Sequence, residues 1–355
     1  MKVVYLADAP YVHTRRWVEH FVARGVEAHV ITFRPAEITG ATVHYIDGFE
    51  AAGKARYLVH ARRIRALVQE LRADLLHALH LTSYGFLAGL SGFQPSIVSV
   101  WGTDVLEAPH LTPAHRWITR HALARAGTIT ATGLRLAEAT LPFAPTAKPV
   151  VVVPYGVDVD QFRAVPRTPG TRVIVGAVSR LSPEKGLEHL LRATRLLRDR
   201  GTDVDLLLAG DGPSRRSLEK LTQELALGDR VRFHGEIEHR AVRGVLQGLD
   251  IFAMPSTAEG FGVSAVEASA TRLPVVASDV HGIPDVVLDG VTGVLVPPAD
   301  PPALADAIAR LAADASLRER MGDAGRAFVE REYRWQDNVA LMERLYERAV
   351  GADGR

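Results

Sequence analysis

The sequence predicts two doubly wound α/β domains in tandem, each built on a parallel sheet. Three observations point there. Short apolar runs alternate with helical stretches along the chain. The runs are continuously apolar rather than alternating, as strands covered on both faces must be. The series breaks at residues 154–171, where three prolines and two glycines mark a linker. A length of 355 residues suits two domains of roughly 100–200 residues each.

In the first series, residues 3–7, 27–33, 74–78, 97–100, 128–131 and 150–153 read as strands. A helix over 14–24 carries Trp17, Phe21 and Val22 on one face, and Gly25 caps it. The second series places strands at 173–179, 205–209, 231–233, 251–254 and 274–277. Sheets of this kind take ligands beyond the carboxyl ends of their strands. Two such domains facing each other predict a ligand site in the cleft between them.

Composition narrows the function. Apolar residues at 47% and charged residues at 23% exclude disordered and fibrous classes. The lack of cysteine excludes disulfide scaffolds, thiolate metal sites and a cysteine nucleophile. No run of 18 apolar residues is present, and the opening residues carry no long apolar core with a cleavage site. Neither a membrane span nor a signal peptide is expected, which fits a cytoplasmic protein. The net charge of +1 is unevenly placed. Residues 1–150 hold 16 Lys and Arg against 11 Asp and Glu, and the rest hold 26 against 30. Ten of the 14 histidines also lie in residues 1–150, so the two halves are expected to meet different partners. No clustered basic face argues for nucleic acid.

Two stretches carry the chemistry. Residues 258–270 follow a strand and open a helix near Gly262. The N–H groups of Phe261, Gly262 and Val263 are placed to hold a phosphate. Glu259 and Glu267 flank them, and carboxylates beside an anion site suit hydroxyl groups, a vicinal diol above all. The same spacing also fits a capped helix with two solvated glutamates. In residues 176–186, Arg180 and Lys185 follow a strand end. Two cations there suit a diphosphate leaving group, or else flank a surface turn. No strict dinucleotide loop, Walker loop or nucleophile elbow is present. Asp158 with Asp160, Asp203 with Asp205, and His77 with His80 are poor metal pairs from their positions, so no metal is expected.

In order, the chain shows Pro154-Tyr155-Gly156-Val157-Asp158, Gly176-Ala177-Val178-Ser179-Arg180 with Glu184-Lys185-Gly186, and Ala209-Gly210-Asp211-Gly212-Pro213. Val231-Arg232-Phe233-His234-Gly235 follows, then Pro255-Ser256 leading to Glu259-Gly260-Phe261-Gly262, Glu267 and Thr292-Gly293-Val294-Leu295-Val296. This set resembles the retaining glycosyltransferases of GT-B fold, family 4, over nearly the whole chain.

The resemblance implies an acceptor-binding domain over 1–155 and a donor-binding domain over 156–335. A last helix, from about 336, returns to the first domain with Val339, Met342, Leu345 and Tyr346 on its packing face. It implies a UDP- or GDP-sugar donor, used as a substrate with no cofactor and no metal. Arg180 and Lys185 would bind the diphosphate and Glu267 the ribose hydroxyls. Glu259 would face the donor sugar, and Gly235 and Ile237 would border the base. Transfer would retain the anomeric configuration by front-face substitution, with the leaving phosphate helping to deprotonate the acceptor hydroxyl. The acceptor would be a sugar, a lipid-linked molecule or a small molecule.

The chain departs from the family pattern in two places. The double glycine before the first His is Asp8-Ala9-Pro10-Tyr11-Val12-His13, and His-Gly-x-Asp is Trp101-Gly102-Thr103-Asp104. His13, assigned as catalytic together with Arg180, Lys185 and Glu259, or else Asp104, would serve in place of the missing His. Trp101 would stack on a sugar ring or pack in the core. A basic amphipathic helix over 53–72, with Lys54, Arg56, Arg62, Arg63, Arg65 and Arg72, suits peripheral contact with an anionic membrane or simple core packing. Two other readings share these residues: a sugar-nucleotide 2-epimerase, and a noncatalytic sugar-nucleotide-binding partner subunit.

Overall fold

In a computed structural model, residues 1–47, 56–165 and 172–353 are described. They divide into one unit of Met1–Val153 with Val339–Arg355 and a second of Pro154–Asn338.

The first unit holds seven strands: β1 (Lys2–Leu6), β2 (Glu27–Thr32), β3 (Thr42–Tyr45), β4 (Leu75–Leu79), β5 (Ser96–Val100), β6 (Thr128–Ala131) and β7 (Val150–Val152). All pair in parallel, in the order β3-β2-β1-β4-β5-β6-β7. The order reverses between β1 and β4, so the crevice at that switch point lies beyond Leu6 and Leu79. The inner strands β1, β4 and β5 are buried almost throughout: Val4, Leu6, Leu76 and Ala78 have no exposed surface. That is why they read as continuous apolar runs.

The second unit holds β8 (Val173–Val178), β9 (Val204–Ala209), β10 (Val231–Gly235), β11 (Ile251–Met254), β12 (Val275–Ser278) and β13 (Gly293–Val296). This sheet is also parallel, ordered β10-β9-β8-β11-β12-β13. Its switch point falls between β8 and β11. The helix Leu187–Asp199 packs into the core of this unit with Leu187, Leu190, Leu191 and Leu197, a 3.6-residue stripe that is buried throughout.

Two strands lie outside the sequence reading. β3 is a four-residue edge strand whose residues are all at least partly exposed, so it carries no apolar run. β13 begins at Gly293, just past the turn in which the Gly290 N–H bonds the Gly293 carbonyl.

The last helix, Trp335–Asp353, starts in the second unit and from Val339 belongs to the first. Val339, Met342, Leu345 and Tyr346 are all buried, as their shared face predicts. Tyr346 stacks on Phe21 with ring centres 4.7 Å apart. Its hydroxyl lies 2.6 Å from His77 Nδ1 and donates to the Tyr5 hydroxyl at 3.4 Å. His77 Nε2 lies 2.7 Å from Ser99 Oγ, so both ring nitrogens have a hydrogen-bond partner. Burial holds the His77 pKa down at about 3.

The basic helix forms as Arg56–Glu70. Lys54 lies outside the described residues, as do the side chains of Arg56, Tyr57 and Leu58. Ala61, Ile64 and Val68 face the core, and Arg62, Arg63 and Arg65 face outward, followed by exposed Arg72. The apolar stripe is therefore not available as a membrane face. Among the described residues, no helix is long and apolar enough to cross a membrane.

Candidate functional site

The two loops at the second switch point hold most of the expected donor residues. After β8 the chain runs through Ser179 and exposed Arg180 into a 3-10 turn, Pro183–Lys185. After β11 it runs through Pro255 and Ser256 to Glu259 and then the helix Val263–Ala270. The loops touch at backbone level. The Thr257 N–H donates to the Glu184 carbonyl at 2.9 Å. Gly186 has φ +60°, and a Cβ there would stand 2.1 Å from the Pro255 carbonyl oxygen. Only glycine meets both demands.

Across this seam, Lys185 Nζ lies 2.7 Å from Glu259 Oε2, with the two side chains 22% and 17% exposed. Both line one cavity with Ser179, Met254, Ser256 and Ser264. The Ser179 hydroxyl is buried there with no hydrogen-bond partner. The arrangement offers a cation, a carboxylate and a hydroxyl to one small polar ligand group.

Phe261 is only 2% exposed, and its ring packs edge-on against Tyr155 and Tyr333. Its side chain anchors the loop, and its backbone is what it can offer a ligand. Gly262 caps the Val263–Ala270 helix at φ +92°. Helix starts leave their first N–H groups outside the intrahelical ladder. Glu267 lies deeper on that helix, 4% exposed, with Oε1 2.8 Å from His239 Nε2. Sequence spacing gives no sign of His239, because 28 residues and a strand separate it from Glu267. Gly235 ends β10 at φ +88°, its carbonyl accepting from the Gly210 N–H at 2.8 Å, and Ile237 is half-buried just beyond.

The first unit places the remaining residues at its own switch point. His13 sits in the first turn of the helix Val12–Ala23, with Tyr11 edge-on at 5.1 Å. Tyr11 is 45% exposed and lies 5.7 Å from Trp101, so Trp101 is half-buried in a shared aromatic cluster rather than in the core. Tyr11 is a further residue the sequence reading did not single out.

Asp104 is 1% exposed. Its carboxylate accepts from the Gly102 N–H at 2.7 Å, the Leu81 N–H at 2.8 Å and the Trp101 N–H at 3.2 Å. These amides occupy both oxygens, so Asp104 does not stand in for the missing histidine as expected. It ties the Trp101 loop to the loop after β4. In that second loop His80 takes φ +98°, a conformation costly for a non-glycine residue, and a π-helical turn Leu81–Gly85 follows.

The pairs set aside as metal ligands have other partners. Asp158 Oδ1 accepts from the Asp160 and Gln161 N–H groups. Asp203 and Asp205 both pair with Arg172 and Arg230. Among the described residues no three His, Asp or Glu side chains group as a metal site.

A family model described as Glycosyl transferases group 1 matches residues 158–328, and one described as Glycosyl transferase 4-like matches 2–133. The GDP-mannose-dependent alpha-(1-6)-phosphatidylinositol monomannoside mannosyltransferase of Mycolicibacterium smegmatis is 30% identical over 363 residues, covering 93% of each chain. The chain belongs to the group 1 glycosyltransferases. Alpha-D-kanosaminyltransferase of Streptomyces kanamyceticus is 40% identical to this glycosyltransferase over 152 residues, 43% of this chain and 39% of that one. In fold, sucrose-phosphate synthase from Thermosynechococcus elongatus matches with a TM-score of 0.83 at 24% identity, covering 99% of this chain and 100% of that one. The glycosyltransferase has the GT-B fold: two Rossmann-like parallel-sheet domains with a helical C-terminus.

Proposed function

We propose that this glycosyltransferase moves a sugar from a UDP- or GDP-sugar to an acceptor hydroxyl, with retention and without a metal. The observation that carries the reading is the β8–β11 switch point, where two interlocked loops carry Arg180, Lys185 and Glu259 and the helix that follows carries Glu267. In this reading Arg180 and Lys185 bind the diphosphate and stabilise the negative charge that grows on it as the glycosidic bond breaks. Ser179 adds a hydroxyl donor. Glu259 faces the sugar hydroxyls, Glu267 the ribose diol, and the backbone of Phe261, Gly262 and Val263 the phosphate. Gly235 and Ile237 border the base. The leaving phosphate, on the same face as the acceptor, takes the acceptor proton.

The near full-length relative is named for GDP-mannose and a lipid-linked acceptor, which supports a donor and an acceptor of those classes. His13, Trp101 and Tyr11 contact the acceptor, with Asp104 holding Trp101 in place. Peripheral membrane contact belongs to this reading in an altered form. Exposed Arg62, Arg63, Arg65 and Arg72 attract an anionic surface by charge alone, since the apolar stripe faces the core. Binding to anionic vesicles at low salt that is largely lost near 0.15 M salt, where the Debye length falls to about 8 Å, is the expected result. Indifference to anionic vesicles at low salt removes this part.

A thermal-shift screen against UDP, GDP, ADP and their sugar conjugates, with EDTA present, tests the donor site. A ligand at 100 times its dissociation constant stabilises by about 2.7 kcal/mol. Stabilisation by one diphosphate family supports the reading. No shift with any of them, together with no release of nucleoside diphosphate from donor sugars, refutes it.

A further inference from the structure

We infer that His239 is a positioning residue for the donor ribose, acting through Glu267. The inference rests on the donor-site reading above. Glu267 has a side chain only 5% exposed, and a carboxylate that deep needs a hydrogen-bond donor. His239 Nε2 supplies one at 2.8 Å to Oε1. The imidazole stands at the first residue of the helix His239–Gln247, with the Phe162 ring 5.9 Å away. Its backbone is therefore fixed by the helix and its ring is flanked by an aromatic.

A carboxylate on a glutamate side chain turns freely about its last bond. A donor on one oxygen stops that rotation and sets the direction of the other. A ribose diol requires such a fixed direction, because two adjacent hydroxyls must meet one carboxylate. His239 thus orients Glu267 before the nucleotide arrives and touches no reacting atom. Glutamine at 239 carries an N–H at comparable reach, and alanine carries none.

The test uses the full chain and calorimetric binding of UDP and GDP, each beside its 2′-deoxy form. Wild type, His239→Ala and His239→Gln are compared, with melting curves to show that each variant is folded. We expect wild type to prefer the better ribonucleotide over its 2′-deoxy form by about ten-fold, the range of one hydrogen bond to a charged group. His239→Ala should lose about ten-fold for the ribonucleotide and less than about two-fold for the 2′-deoxy form. His239→Gln should recover most of the loss. Equal losses for both forms mean that His239 only supports the fold, and they overturn the inference. So does an unchanged ribonucleotide affinity, or no recovery with glutamine. If wild type binds neither UDP nor GDP, the donor-site reading itself fails and takes this inference with it.

Discussion

Arg180 and Glu267 separate two ways a residue can serve transfer. In the proposed reading Glu267 meets ribose hydroxyls that do not change during the reaction, so Glu267→Ala should weaken donor binding and raise KM more than it lowers kcat. Arg180 is proposed to meet a diphosphate whose charge grows toward the transition state, so Arg180→Ala should lower kcat, by about 10²–10³-fold if it resembles loss of an oxyanion donor. Steady-state kinetics with the donor found in the thermal screen checks both. Equal turnover in wild type and Arg180→Ala removes the role given to Arg180. His77 belongs to the same scale but to stability. Its folded pKa is depressed to about 3, so between pH 6.5 and 3 the unfolded chain takes a proton that the folded chain refuses. The contribution is therefore full above pH 6.5 and is lost as pH falls, at about 1.4 kcal/mol per unit. Denaturant titrations across that window should show a slope shallower by this amount in His77→Asn than in wild type.

At the scale of elements, the site is two loops that must lie against each other. Gly186→Ala tests this directly. The positive φ alone costs about 1–2 kcal/mol, and the clash with the Pro255 carbonyl adds to it. Gly201→Ala is the control, with φ +78° and nothing within 4 Å of a Cβ. Chemical denaturation should show Gly186→Ala the less stable of the two, and donor binding should fall only in Gly186→Ala, because Lys185 and Glu259 move apart. Equal effects mean that the seam does not shape the site. The same contrast explains what could be read beforehand. The buried parallel strands announce themselves because both faces are apolar, and the acids and cations after β8 and β11 follow from strand ends. β3 stays hidden because an edge strand of four partly exposed residues, Thr42–Tyr45, carries no apolar run. The pairing of His239 with Glu267 depends on how the helices His239–Gln247 and Val263–Ala270, before and after β11, are brought together, and no local spacing encodes that. Asp104 could be read as a free acid because sequence shows a carboxylate but not the three backbone amides that fill it.

At the scale of the molecule, the last helix is covalently part of the second unit at Trp335 and structurally part of the first from Val339. In the second unit its start is held by the Trp335 N–H donating to the Val157 carbonyl at 2.9 Å. In the first unit Val339, Met342, Leu345 and Tyr346 fill the core beside Phe21, and Tyr346 completes the polar chain through His77 and Ser99. Burying an apolar side chain of this size contributes about 1.5–3 kcal/mol, so four together approach the whole stability of an ordinary domain. Ending the chain at Asn338 should therefore unfold the first unit, while the second keeps its own core. Limited proteolysis should then cut within residues 1–153 and spare 172–338. Tyr346→Phe keeps the ring against Phe21 and removes the hydroxyl, leaving the buried His77 Nδ1 without its hydrogen-bond partner. That unpaired buried polar group should cost about 1–3 kcal/mol with the helix still docked. If the shortened chain melts as wild type does and resists protease equally in both units, the helix is an appendage and the first unit is complete without it.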